Sequence, residues 1–287
     1  MATSCTATWV DAAAAVDQAR AALRRDLAAT SPRVRRIAAA ALARTHDGEA
    51  CALLAAEIRG ASGELASDIA RLDLAYALAR GGDPRGAEVL AAALGAARAE
   101  ARDEAARLLA LLGDARAVPH LLDLLAVDQR RLGAAEHLAH LAEPHAIKVL
   151  DQVRGNPRAS ADDKARATVA LGIAGRADVT GALRDMLGDP HFNAFAAEAL
   201  AELAAHAARP STPGDAPARP VLERQLASPP LRVFAARALR RLDPAIDPSA
   251  LLPPLLEVVR AGRDVERIPA AEAILLLAGP AGWSAFD

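Results

Sequence analysis

Residues 31–42 read SPRVRRIAAAAL, and the alanine-rich end of this stretch follows a pattern, A-A-x-A-L, that recurs along the chain. Successive copies lie 29 to 39 residues apart, with a mean near 33. A period of this length is typical of proteins built from stacked pairs of helices. The last residues of the eight copies are Leu42, Leu78, Leu109, Leu138, Leu171, Leu200, Leu239 and Ile274.

A turn signal often begins four residues after the last residue of a copy, and a second apolar run with helical spacing follows it. Each unit is therefore predicted to be a helix, a tight turn and a second helix. Glycine ends the first helix in the left-handed conformation, aspartate caps the second helix, and proline is tolerated in its first turn. One such pair cannot bury its apolar face alone, so the pairs must stack. The turn signals are Gly82-Asp83-Pro84, Gly113-Asp114, Gly175-Arg176 and Asp243-Pro244.

The composition agrees with helical repeats. Of 287 residues, 77 are alanine and 40 are leucine, both of which are strong helix formers, whereas residues that favour strands are scarce. The sequence therefore predicts an all-α protein. A chain of this length can bury a large core, either in globular domains or in one array.

Three stretches resemble the HEAT-repeat family, in particular its short bacterial form of the phycobilisome-lyase type. They are residues 31–42, residues 112–122 (LGDARAVPHLL) and residues 230–239 (PLRVFAARAL). The resemblance covers about residues 31–278 and implies a right-handed α-solenoid of about seven to eight stacked helix-turn-helix repeats. Armadillo and tetratricopeptide arrays are competing interpretations, although the Trp, Gly and Tyr signature of the latter is absent.

The predicted organisation has three parts. Residues 1–30 are expected to form an N-terminal capping helix, residues 31–263 the repeat array, and residues 264–287 a C-terminal capping helix and tail, in an elongated molecule. An insertion at 207–220 contains four prolines and cannot continue a helix. It is expected to protrude as a loop, with a lid or docking arm as the functional alternative. Trp283 and Phe286 are expected to fold back onto the C-terminal cap, or else to form a docking peptide.

Charge and composition exclude several function classes. The net charge is −2, which argues against a nucleic-acid binder, and seven aromatic residues leave no stacking platform for bases. Cys5 and Cys51 form neither a metal-binding spacing nor a disulfide framework, which fits a cytoplasmic setting. Since no signal peptide and no uninterrupted apolar stretch of membrane-spanning length occur in the sequence, no membrane association is predicted.

The densest polar cluster in the sequence is Glu136, His137, His140, Glu143 and His145. His137 and His140 lie one helical turn apart, as two metal ligands would. HEAT-type hydroxylases hold iron with His-Glu dipeptides, and this dipeptide occurs nowhere in the chain. No metal, cofactor or catalytic residue is therefore predicted. The alternative is an enzyme or enzyme accessory on a HEAT scaffold, such as a bilin-lyase-like or metal-dependent protein-modifying factor.

The resemblance also implies that second helices line the concave face of the array. Polar residues displayed there carry both charge signs, which suits a protein or peptide partner better than a phosphate backbone. The sequence thus predicts a non-catalytic scaffold or adaptor that binds a protein or peptide in its concave groove. Ordinary solubilising side chains are the alternative. The predicted partner-binding residues are His120, Asp123, Lys148, Asp151, Gln152 and Arg184.

Overall fold

The computed structural model describes residues 11–59, 65–206, 218–243 and 245–279. These residues form α-helices and two short 3-10 turns, and no strand occurs among them, which confirms the predicted all-α class. The helices are α1 Ala12–Leu27, α2 Pro32–Ala43, α3 Gly48–Arg59, α4 Leu65–Arg80, α5 Pro84–Ala93, α6 Ala99–Leu111, α7 Val118–Leu125, α8 Arg131–Ala139, α9 Pro144–Gly155, α10 Ala161–Ile173, α11 Thr180–Met186, α12 Asn193–His206, α13 Ala218–Gln225, α14 Arg232–Leu242, α15 Leu252–Ala261 and α16 Asp264–Ala278.

The predicted turns form as their residue types dictate. Gly82, Gly113 and Gly175 have φ of 82°, 74° and 83° and end α4, α6 and α10. Asp83 caps α5 by accepting a hydrogen bond from the backbone N–H of Arg85. The glycines occupy this position because the left-handed region strains any residue with a Cβ.

Two repeats make the same turn without glycine. His46 and Ala142 lie four residues after Leu42 and Leu138, and their φ angles are 60° and 49°. The His46 side chain compensates with a contact across the junction, because its Nδ1 lies 2.9 Å from the backbone oxygen of Gly81. Ala142 has only a methyl side chain and adopts the same conformation.

The eight first helices, α2, α4, α6, α8, α10, α12, α14 and α16, are those that carry the A-A-x-A-L copies. Each packs against the next in chain order, and α16 packs against α2, so that the row closes into a ring. The last residue of every copy is at most 1% exposed. The row of first helices can close because their alanine side chains are small. Neighbouring first helices therefore approach closely and occupy the inner side of the ring.

Second helices lie outside this ring. The second helices from α3 to α13 each pack beside the first helices of their own and the following repeat, and α15 packs beside α16 and α1. Helix α1 completes the set, since it packs against α16 and α2 as the second helix of an eighth repeat would. The predicted elongated shape is therefore wrong. The reason lies in α16, where the residues from Ala270 to Leu277 are all buried. A helix that is apolar on all sides needs neighbours on all sides.

The contact between the chain ends includes two buried ion pairs. Arg44 donates two hydrogen bonds to Glu272 at 2.6 and 2.7 Å. Arg267 donates two to Asp26 at 3.2 and 2.7 Å. The two predicted capping helices are thus packed against each other.

Some predictions fall on residues outside the described part. Most of the insertion, residues 207–217, lies outside it, as do Trp283 and Phe286. The last three residues of the predicted insertion, Ala218 to Pro220, begin α13 and do not belong to a loop. Proline is compatible with this place because the first turn of a helix has no N–H bond to lose.

Candidate functional site

Two adjoining cavities of about 520 and 570 Å³ lie inside the ring, and Tyr76 and Arg237 line both. We call the first the apolar cavity, because it is lined mainly by Ile37, Pro229, Pro230, Val233, Val265, Ile268 and Pro269, together with Arg44 and Glu272. We call the second the polar cavity, because its lining includes His46, Arg80, His140, Glu198, Glu202 and Arg241.

Two positions of the repeat supply much of this lining. One is position x, which lies two residues before the last residue of each copy. The other lies two residues after that last residue. They are four residues apart and so share one helix face, and the packing of the first helices turns that face inward. Lining residues at position x are Tyr76, Glu198, Arg237 and Glu272, and those at the later position are Arg44, Arg80, Leu111, His140, Ile173, Glu202 and Arg241.

Three arginines of α4 and α14, Arg80, Arg237 and Arg241, line the polar cavity, and Arg237 also lines the apolar one. Arg80 is only 8% exposed, and desolvation together with the positive charges of Arg237, Arg241 and Arg44 lowers its pKa to about 10. The Nε atom of Arg237 is buried without a hydrogen-bond partner in the described structure. A buried donor left in this state is energetically unfavourable, so the position is suited to an anion.

Two glutamates on α12 face the arginines. Glu202 forms an ion pair with Arg241. Glu198 lies near Arg237 and Arg241, yet burial outweighs their attraction and raises the pKa of its carboxyl group to about 7. Glu198 is therefore partly protonated near neutral pH, which leaves the positive charge of the cluster incompletely balanced.

Of the three histidines in the predicted polar cluster, His140 lines the polar cavity, whereas His137 and His145 line neither cavity. His140 is reached by water in the polar cavity, yet burial and the charge of Arg241 lower its pKa to about 4. Burial and the nearby Arg107 likewise lower the pKa of His137 to about 4. Glu143 and His145 bond to each other, at 2.9 Å between Oε1 and Nδ1. No cluster of three or more His, Cys, Asp or Glu that could hold a metal ion occurs among the described residues.

The six predicted partner-binding residues lie elsewhere. His120 and Asp123 are on α7, Lys148, Asp151 and Gln152 on α9, and Arg184 on α11. All three are second helices, whereas first helices line the cavities, so the prediction that second helices face the inner surface is wrong. The alanine-rich first helices pack closer together and therefore occupy the inner side of the curve.

On the second helices, His120 and Asp151 contact neighbouring charged side chains. His120 Nε2 lies 2.8 Å from Asp103 Oδ1. Asp151 accepts from Arg154 at 3.2 Å and from Arg176 at 2.8 Å. Asp123, Lys148, Gln152 and Arg184 are exposed.

Sequence reasoning missed the arginines and glutamates of the cavities, although a signal for them was present. Position x is the most variable place in the copies, and it is charged in five of the eight. A charge recurring at a fixed place in the buried part of a repeat indicates a shared polar surface. These five residues are Arg107, Glu136, Glu198, Arg237 and Glu272.

Comparison of the chain with protein-family models finds no match, and comparison with curated proteins finds none either. Within the described ranges, no helix has both the length and the apolar character needed to cross a membrane.

Proposed function

We propose that this chain is a non-catalytic binding protein of the HEAT-repeat kind, and that an extended peptide segment of its partner occupies the cavities inside the ring. The observation that supports this proposal is the group of charged side chains that line the cavities inside the ring. Buried charges are unfavourable for stability, so a structural role alone gives little reason to collect them in one place.

Size supports a segment as the bound species. The cavities measure about 520 and 570 Å³, which falls within the range of roughly 300 to 1,000 Å³ typical of small-ligand sites. A folded domain cannot enter such a space, but a few residues of extended chain can. The lining offers both hydrogen-bond donors, such as Arg237, and acceptors, such as Glu202, as a peptide backbone requires.

The test is a selection from a library of random peptides displayed with free C-termini, followed by binding measurements with two tryptophan variants. Ala205 is exposed and lines the polar cavity, so Ala205→Trp fills that cavity from a position that is not packed. Ala52 is exposed on α3, outside the ring, and Ala52→Trp is the matched control. We expect selected peptides to lose at least tenfold in affinity for Ala205→Trp and to bind the control normally.

A different result would place the binding surface on the second helices, outside the ring. If Ala205→Trp binds normally while charge reversal of Asp123, Lys148 and Asp151 together abolishes binding, the second helices form the partner surface. Failure to select any peptide would count against the proposed function itself.

A further inference from the structure

The charges that line the two cavities do not balance. Four arginines and three glutamates contribute to the linings. Since the carboxyl group of Glu198 has a pKa of about 7, the site carries one to two net positive charges near neutral pH. An occupant with a single negative charge would balance this excess fully when Glu198 is ionised and would leave one positive charge when Glu198 is protonated.

The geometry identifies Arg237 as the place for that charge. Arg237 lines both cavities, and its buried Nε atom has no hydrogen-bond partner among the described residues. A guanidinium presents its N–H groups as a planar fork that matches the two oxygens of a carboxylate. A carboxylate at this point would satisfy the buried donor and lie close to the positive charges of Arg80 and Arg241.

Helix direction indicates which side the anion comes from. Ile37, Val233 and Val265 of the apolar cavity lie in the first halves of α2, α14 and α16, whereas Gly82 and Gly113 of the polar cavity follow the ends of α4 and α6. Helix C-termini carry partial negative charge and repel anions. An anion that arrives through the apolar cavity is therefore expected to stop at Arg237.

Apolar side chains surround this approach. Ile37 is 40% exposed and Val265 is 62% exposed, and both line the apolar cavity beside Pro229 and Pro230. Exposed branched side chains around an opening favour apolar groups on whatever occupies it. The molecule that carries the carboxylate should thus be apolar next to its charged end.

Resting on the proposed function, we infer that the cavities recognise the C-terminus of a peptide, with its terminal carboxylate on Arg237 and its last one or two apolar side chains against Ile37, Val233 and Val265. A phosphate group fits less well, because its second negative charge would lie near Glu202 and would be balanced only with Glu198 protonated. A plain alkyl carboxylate fits less well too, because it offers no backbone N–H or C=O group to the hydrogen-bonding atoms of Tyr76 and Glu198, whereas Glu202 and Glu272 already pair with Arg241 and Arg44.

The experiment compares two forms of the same peptides. Acetylated hexapeptides whose last two residues sample Ala, Val, Leu, Ile and Phe in every order are made as free acids and as C-terminal amides. Binding to the full-length protein is measured by calorimetry. We expect the best acids to bind at least roughly tenfold more tightly than their amides, as the loss of a charged hydrogen-bond partner requires. We expect Arg237→Gln to remove that preference, and Arg224→Gln, on the exposed side of α13, to retain it.

The other outcomes overturn this inference in distinguishable ways. Equal binding of acids and amides would remove the carboxylate and leave the proposed function standing. A preference for acids that survives in Arg237→Gln would remove Arg237 as the recognition residue. If no peptide binds in either form, the proposed function fails as well, and binding of dodecanoate in that case would identify an alkyl carboxylate as the occupant.

Discussion

Two junctions of the ring carry the same kind of ion pair in different surroundings. Where the chain ends meet, Arg44 after α2 pairs with Glu272 of α16, and the side chains are 22% and 2% exposed. Inside the array, Arg166 of α10 pairs with Glu136 of α8, at 41% and 23% exposure. Both pairs have two short bonds, of 2.6 to 2.8 Å.

The difference shows what chain connectivity contributes to a ring. Helices α8 and α10 are joined through α9, so their packing is maintained locally even if the ion pair is lost. Helices α16 and α2 are at opposite ends of the sequence and meet only through tertiary contacts. Glu272 is also enclosed by other helices, so it depends on Arg44 to balance its charge.

The largest effect is expected when Arg44 is replaced by alanine, and replacement of Arg166 is the matched comparison. Arg44→Ala leaves a buried carboxylate without its partner and should lower the free energy of unfolding by about 3–5 kcal/mol. Arg166→Ala breaks a more exposed pair and should lower it by about 0–1 kcal/mol. Chemical denaturation followed by far-UV circular dichroism measures both.

The double variant Arg44→Met with Glu272→Leu separates charge from packing. It should recover most of the stability lost in Arg44→Ala, because a well-packed apolar pair can replace a buried ion pair. Equal losses in Arg44→Ala and Arg166→Ala would show that closure of the ring makes no special demand on its ion pair.

Acid should lower the stability of the protein through protonation of His137 on α8. Its pKa is about 4, depressed by burial, by Arg107, by His140 and by Arg166, against the attraction of Glu104. Because the unfolded chain binds this proton more readily, the stabilisation is complete above the ordinary pKa of 6.5 and is lost as the pH falls toward 4. The loss should reach at most about 3 kcal/mol.

This pH dependence is measured as the melting temperature between pH 4 and 7. His137→Gln should make the curve flatter over that interval, whereas His145→Gln, an exposed histidine beside Glu143, serves as the control. A wild-type curve that is unchanged by His137→Gln would show that protonation elsewhere controls the acid transition.

The smallest effect is expected at the turns that follow the first helices. Ala142 adopts φ of 49°, where glycine is free of strain, so Ala142→Gly should stabilise the protein by about 1 kcal/mol. Gly113 has φ of 74°, and a Cβ added there meets nothing within 4 Å, so Gly113→Ala tests the strain alone and should destabilise it by a similar amount. Two changes of the same sign would contradict this account of the turns.

Much of the fold could be predicted from local patterns. The copies ending at Leu42 to Ile274 identified every first helix, and Gly82, Gly113 and Gly175 marked turns that the structure contains. These features depend on neighbouring residues, such as a glycine at a left-handed position, and are therefore readable from sequence. Which helices line the inside of the array could not be predicted, because the direction of curvature depends on how helices from different repeats pack.

The sequence by itself thus determined that the chain folds as repeated helix pairs, because helix propensity, turn chemistry and apolar periodicity act over a few residues. Only the tertiary structure decided that α1 and α16 meet, that first helices form the inner ring, and that Arg80, Arg237 and Arg241 come together. The physical reason is that a small change in the angle between successive helix pairs accumulates around the array. Whether the two ends meet is a property of the sum of these angles, and no single repeat encodes it.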